Sequence, residues 1–207
     1  MAFQDAAATW NGRFESGHYI FGTAPNGWLS EQAHHLAPAG RVLCVADGEG
    51  RNSVWLAKRG HRVDAFDIAE IGIRKARALA VGAGVGVNFA VADADALQWP
   101  SALYDAVVAI FIQFADPAMR TRLFAHMVQA LKPGGVLVLQ GYTPRQLEYR
   151  TGGPPFAEHL YTEPMLREAF ADLEILALRE YEAVLSEGTQ HAGRSALLGL
   201  VARKPMG

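Results

Sequence analysis

At 207 residues, half of them apolar, the chain can bury one sizeable core, and 21 acidic against 19 basic residues leave a formal charge of −2. That balance removes the electrostatic basis for binding nucleic acid or an anionic membrane surface. One cysteine, Cys44, rules out an intrachain disulfide and fits a reducing compartment. No stretch reaches membrane-span length, and the first residues lack a charged start followed by an apolar run, so a cytoplasmic location is expected.

The elements alternate along the chain. Residues 1–36 read as a helical segment whose Trp10, Phe14 and Tyr19 either tuck into the core or, together with Arg13, form a lid over a ligand. Arg41–Ala46 reads as a strand, with Cys44 as a small buried apolar residue. Asp47-Gly48-Glu49-Gly50 breaks that strand, and a helix follows from Arg51 to Arg59, with Lys58 and Arg59 at its negative end and Gly60 terminating it. His61–Phe66 is the second strand and leads into Asp67. A helix from Ala69 to about Val81 is closed by the glycines at 82, 84 and 86. Val87–Val91 and Tyr104–Phe111 are the third and fourth strands.

Asp116-Pro117 caps the next helix, whose Met119, Leu123, Phe124, Met127, Val128 and Leu131 recur as a core-facing stripe. Lys132-Pro133-Gly134-Gly135 is a turn before the fifth strand, Val136–Leu139. Such alternation predicts a parallel sheet with helices on both faces. Beyond Gly141 the rhythm changes. Residues 151–155 cannot be helical, a helix covers Glu163 to Phe170, and two strands (Leu173–Ala183 and Arg194–Ala202) are joined by a connection over 186–193, which makes them an antiparallel hairpin. The expected architecture is a single domain over 1–207: a three-layer, doubly wound α/β fold with a seven-stranded, mostly parallel sheet ending in that hairpin. Residues 1–36 form the lid, 41–141 the ligand-binding core, and 142–207 the substrate side.

The chemistry concentrates in residues 42–67. A strand, a glycine turn into a helix N-terminus, a second strand and an acid at its tip form half of a nucleotide-type binding fold, with Asp67 placed to accept ribose hydroxyls. A dinucleotide needs a third glycine where Ser53 stands, and a pyrophosphate on the turn amides would be repelled by Asp47 and Glu49. S-Adenosylmethionine has ribose and adenine, no phosphate, and a sulfonium and an ammonium that suit an acidic loop. The plain alternative is a turn that merely needs its glycines. Clustered Cys/His ligand spacing is absent, so no metal is expected.

Several strings, WNGRFESGHYIFGTAPN (10–26), CVADGEGRN (44–52), DAFDIAEIGIRKA (64–76), LKPGGVLVL (131–139), YTPRQLEYRTGGPP (142–155) and EGTQHAGRSA (187–196), resemble class I S-adenosylmethionine-dependent methyltransferases, in particular a bacterial group related to tellurite-resistance and thiopurine methyltransferases. The resemblance implies that Asp47, Gly48 and Gly50 cradle the methionine part of the cofactor and that Asp67 takes the ribose. It puts Ile68 beside adenine, Asp93 on the adenine amino group with the Ala94 amide at the ring, and Ile110 near the sulfonium. Asp95 competes with Asp93, either being a possible turn cap. Arg13 in the lid would face the methionine carboxylate, with Arg51 as its competitor. Gln113 and Gln140 stand where the group often has histidine and glutamate. Gln113, Tyr142, Arg145 and His191 are the substrate-side candidates, His191 also reading as a plain exposed loop residue.

The implied activity is direct in-line methyl transfer to a small molecule, including soft sulfur, selenium or tellurium acceptors, by proximity and orientation with no obligatory catalytic side chain. Ile110-Phe111-Ile112-Gln113-Phe114 lacks the Asn/Asp-Pro-Pro-Tyr/Phe run of enzymes that methylate amide or base nitrogens. The alternatives are a non-catalytic S-adenosylmethionine sensor or partner protein, and a nicotinamide dehydrogenase.

Overall fold

The computed structural model describes residues 5–206. Seven strands form one sheet: β1 (Arg41–Val45), β2 (Arg62–Asp67), β3 (Asn88–Val91), β4 (Tyr104–Ile110), β5 (Leu131–Tyr142), β6 (Glu174–Glu187) and β7 (His191–Arg203). Their spatial order is β3-β2-β1-β4-β5-β7-β6. The first five run parallel, and β7 inserts antiparallel between β5 and β6. β1 and β4 are covered on both faces, and their near-continuous apolar sequences, RVLCV and YDAVVAI, suit that burial.

The helices are α1 (Ala6–Phe14), α2 (Gly27–Gln32), α3 (Arg51–Lys58), α4 (Glu70–Gly82), α5 (Pro117–Ala130), α6 (Gln146–Tyr149) and α7 (Glu163–Ala169). Asp116 caps α5 through a bond from the Met119 amide at 2.9 Å, with Pro117 in the first turn where its missing N–H costs nothing. Leu123, Phe124 and Met127 of that stripe are buried against Val107, Leu137 and Leu139 on one face of the sheet, whereas Met119 and Val128 are only partly covered. Val42, Cys44, Val108 and Val138 pack on the other face against Val54, Leu56 and Ile73 of α3 and α4. Strand order reverses between β1 and β4, which opens a crevice at the carboxyl ends of these strands.

Two differences from the sequence reading bear on the site. Lys132–Gly135 does not end a separate turn but bulges within β5, as the pairing of β4 jumps from Tyr104↔Leu131 to Ala106↔Val136. More consequential, the terminal hairpin is longer than its sequence suggests. Gly193 pairs with Leu185 and His191 with Glu187, leaving only residues 188–190 as the connection. Glycines and polar residues look like a loop, but a two-stranded ladder satisfies their backbone groups and tolerates them at a solvent-facing tip. The tip docks on the N-terminal segment: Thr189 and Gln190 both donate their amides to the Ile20 carbonyl, at 2.8 and 3.2 Å. Gly188 sits so close to that carbonyl that any Cβ there would collide with it.

Candidate active-site crevice

The crevice encloses about 300 Å³, at the lower end of the ~300–1,000 Å³ range of small-molecule sites. Its floor is made by the ends of β1, β2 and β4 and its roof by Trp10, Phe14 and Phe21. Two floor residues, Ala46 (φ 48°) and Phe111 (φ 57°), follow directly on strands and hold left-handed backbones that side-chain-bearing residues rarely adopt. Such strain, of order 1–3 kcal/mol per residue, persists where the surroundings impose it, and it clusters at functional sites. Phe111, read from sequence as the last residue of the fourth strand, is instead this turn.

The turn after β1 is organised by two carboxylates. Asp67 is 7% exposed and accepts from the Gly48 amide at 2.9 Å and the Ala69 amide at 2.8 Å. Burial pushes its pKa up to about 6 against the pull of those bonds. Asp47 accepts from the Ser53 hydroxyl at 2.5 Å, and burial raises it to about 7 despite that bond. Ser53, in place of a third glycine, therefore anchors the acid. The Asp47 amide goes to the Phe66 carbonyl (3.0 Å) and the Gly50 amide to the Asp47 carbonyl (3.2 Å). With the Gly48 amide also engaged, none of the three N–H groups is free to cradle a diphosphate.

Asp47, Gly48, Asp67, Ile68, Asp93, Ala94, Ile110 and His191 all line the crevice. Asp93 does so while accepting from the Asp95 amide at 2.9 Å, so it is turn cap and wall at once. Asp95 also reaches the crevice but is held in a two-pronged pair by Arg122, at 2.8 and 2.7 Å.

Five expected residues lie elsewhere. Gly50 (φ 88°) is needed for close approach to α4, since a Cβ would fall 2.7 Å from that of Ala76. Arg13 is exposed, its guanidinium 4.7 Å from the Trp10 ring, and the cation that lines the crevice is the buried Arg51. Gln113 is consumed as a clamp: it donates to the Tyr142 and His159 carbonyls (2.9 and 3.2 Å) and accepts from the Tyr142 amide at 2.6 Å. The Tyr142 ring is buried behind Phe111, centroids 4.7 Å apart. Arg145 faces solvent, paired with Glu182 at 2.7 Å. Glu49 likewise turns away from the crevice, ion-paired with Lys75 and accepting from the Phe21 amide at 3.3 Å, so Asp47 alone of the two turn acids faces the ligand space.

His191 is the opposite case. Expected on an exposed loop, it begins β7, is 9% exposed and forms part of the crevice wall. Phe21 and the buried pair Arg51–Glu187 (2.8 Å) complete that end. Asn26, unremarked in the sequence, donates its side-chain amide to Gln140 at 2.6 Å and to Glu187 at 3.1 Å. Gln140, the second departure from the expected pattern, is thus part of this buried network. Long-range pairing of 26, 51, 140 and 187 leaves no local signal. Only the Asn26–Leu29 helix cap is written in neighbouring residues.

Residues 42–135 match the family model described as a methyltransferase domain. An uncharacterised protein of Mycobacterium tuberculosis is 31% identical over 122 residues, which cover 58% of this chain and 44% of that protein; the chain thus spans under half the length of the curated relatives it matches. Among solved structures, an S-adenosylmethionine-dependent methyltransferase from Methanosarcina mazei superposes with a TM-score of 0.70 at 22% identity, over 84% of this chain and 97% of the other. TehB from Haemophilus influenzae also gives 0.70 at 22% identity, over 88% of this chain and 63% of that one. The seven-stranded sheet with its antiparallel β5-β7-β6 end is the Rossmann-like methyltransferase fold.

Proposed function

We propose that this chain, whose central segment matches a methyltransferase domain, is an S-adenosylmethionine-dependent methyltransferase acting on a small molecule. The observation that carries this reading is the turn after β1. The Asp47, Gly48 and Gly50 amides are spent on the chain's own acceptors, while Asp47 and Asp67 present carboxylates, an acceptor set that fits a cationic adenosyl compound and not a diphosphate. Asp67 would hold the ribose hydroxyls, Asp47 with Gly48 the amino end of the methionine part, and Arg51 its carboxylate. Asp93, Ala94 and Ile68 would take the adenine, with Ile110 beneath the sulfur. The bound group supplies an electrophilic methyl.

The chain's own contribution is positioning and water exclusion. Trp10, Phe14 and Phe21 roof the site and His191 of the terminal hairpin walls the other end, an enclosure that supports a small acceptor. Soft acceptors such as thiols, selenide or tellurite fall in this class; the fold it shares with TehB supports no acceptor by itself. Calorimetry with S-adenosylmethionine and NAD, followed by labelled methyl transfer to a panel of small acceptors, tests the reading. Saturable S-adenosylmethionine binding with transfer is expected. NAD binding in its absence would overturn it, and binding without transfer to any acceptor would favour a sensor.

A further inference from the structure

The acceptor end of the crevice holds a histidine in an unusual setting. The His191 ring packs against Phe111 at 4.2 Å and Phe21 at 4.5 Å between centroids, with Tyr142 edge-on at 5.8 Å. Its Nδ1 is sealed from solvent and has no hydrogen-bond partner among the described residues. The nearest acidic oxygen, Oε2 of Glu187, is 3.8 Å away across the hairpin. Glu187 is itself fixed by Arg51 at 2.8 Å, by the Asn26 side-chain amide at 3.1 Å and by the Gly27 amide at 3.2 Å. A carboxylate on that side of the ring favours the proton on Nδ1, which leaves the lone pair of Nε2 for the crevice.

We infer that His191 is the general base of the transfer, oriented by Glu187, and that the methyl acceptor is a flat small molecule whose nucleophilic atom carries a proton, such as a phenol-type hydroxyl. This rests on the methyltransferase reading and narrows its acceptor class. As a lone pair on the acceptor atom forms the new bond to the methyl carbon, the methyl–sulfur bond breaks with its electron pair going to sulfur. The acceptor's proton passes to Nε2, and the imidazolium returns it to solvent. Phe21 and Phe111 supply flat apolar walls for a ring-shaped acceptor. The 3.8 Å gap to Glu187 is one that binding can close, since catalytic hydrogen bonds are often long before the ligand arrives.

The charged and titratable groups facing the ring agree with this role. They are Glu187 on β6, Arg51 on α3 and Tyr142 on β5. Burial lowers the His191 pKa, Glu187 partly restores it and Arg51 lowers it further, so the ring is neutral at neutral pH. Burial disfavours charge on Glu187, but the nearby His191 ring, the Arg51 ion pair and the Gly27 amide hold it at about 2, a carboxylate throughout the working range. Tyr142, raised by burial to beyond the ordinary range, stays protonated.

Two measurements test this. Imidazole nitrogen NMR of the ligand-free protein, with His191 assigned from His191→Asn or, if that variant is unstable, from ring-to-backbone correlations, reads the tautomer directly. A neutral Nδ1–H ring is expected; an Nε2–H or charged ring at neutral pH overturns the assignment. Transfer is then followed to catechol, whose hydroxyls keep their protons at neutral pH, and to thiophenolate, which has no proton to lose. His191→Asn is expected to lower kcat on the catechol by about 10²–10⁴-fold with KM little changed, and at least tenfold less on thiophenolate. Equal losses on both would reduce His191 to a packing residue, and wild-type transfer to thiophenolate alone, or to neither, would overturn the acceptor class. Failure to bind S-adenosylmethionine, read by calorimetry, would instead remove the methyltransferase reading, and the tautomer result would stand apart from it.

Discussion

Asp67→Asn separates what this carboxylate does for the ligand from what it does for the fold. The side chain is 7% exposed, and burial moves its pKa from 3.8 to about 6. Two pH units at about 1.4 kcal/mol each make ionised Asp67 a burden of about 3 kcal/mol to the folded state above pH 6. The sign follows from proton counting. Between 3.8 and about 6 the folded chain keeps a proton that the unfolded chain has lost, so this group's contribution falls as pH rises through that window. Asparagine removes the charge and retains one acceptor oxygen, so one of the Gly48 and Ala69 amides loses its partner, at about 1–3 kcal/mol. The variant should therefore match or exceed wild-type stability at about pH 8, and its stability should decline less steeply with rising pH than that of wild type, Asp47 still contributing its own share of the decline. Losing a charged acceptor for ribose should weaken S-adenosylmethionine binding by about 2–3 kcal/mol, or roughly 30–150-fold. Alanine is a blunter probe, since it strands both amides. Urea denaturation at about pH 5 and pH 8, with calorimetry on the same samples, reads both effects. A variant of unchanged affinity that has lost more than about 3 kcal/mol would refute the reasoning and leave Asp67 a purely structural acceptor.

Cofactor affinity should fall as pH drops from about 7 to 6, because Asp47 and Asp67 protonate there and a cationic ligand favours their ionised forms; calorimetry in two buffers of different ionisation enthalpy near pH 6.5 should register proton release, and an affinity independent of pH would count against these acids as the ligand's partners. Gly50→Ala should destabilise the protein by more than about 1 kcal/mol, since it combines a φ of 88° with a Cβ 2.7 Å from that of Ala76; thermal melts decide it. Arg51→Met should cost about 3–5 kcal/mol in denaturant by leaving Glu187 buried and unpaired, and adding Glu187→Gln should recover part of that loss.

The order of elements was legible in the sequence because strand and helix periods, the Asp116-Pro117 cap and the glycine punctuation are local signals. Boundaries of β1 to β4 shifted by a residue, as for β2, which ends on Asp67 itself, whereas β5 begins at Leu131 and the hairpin strands extend to Glu187 and back to His191. The strand-end half of the crevice was legible for the same reason: Asp47, Gly48, Asp67, Asp93 and Ile110 lie at or just beyond strand ends, and strand ends in such sheets converge. The half beside the hairpin was not. Whether Gln113 faces a ligand or clamps Tyr142, and whether His191 is exposed or walled in by Phe21 and Phe111, depends on contacts between segments far apart in the chain. A histidine beside glycines reads as a loop residue until the pairing of β6 with β7 puts it in a ladder. Glu49 misled in a related way: the acid was visible, but its neutralisation by Lys75 on another helix was not.

The docking of residues 188–190 onto Ile20 ties the chain's opening residues to a hairpin made near its end. The strands up to β5 carry most of the crevice floor, whereas its far wall is supplied by β7 through His191. The far wall therefore forms only when β7 threads between β5 and β6, so enclosure of the crevice depends on segments far apart in the chain meeting at one point.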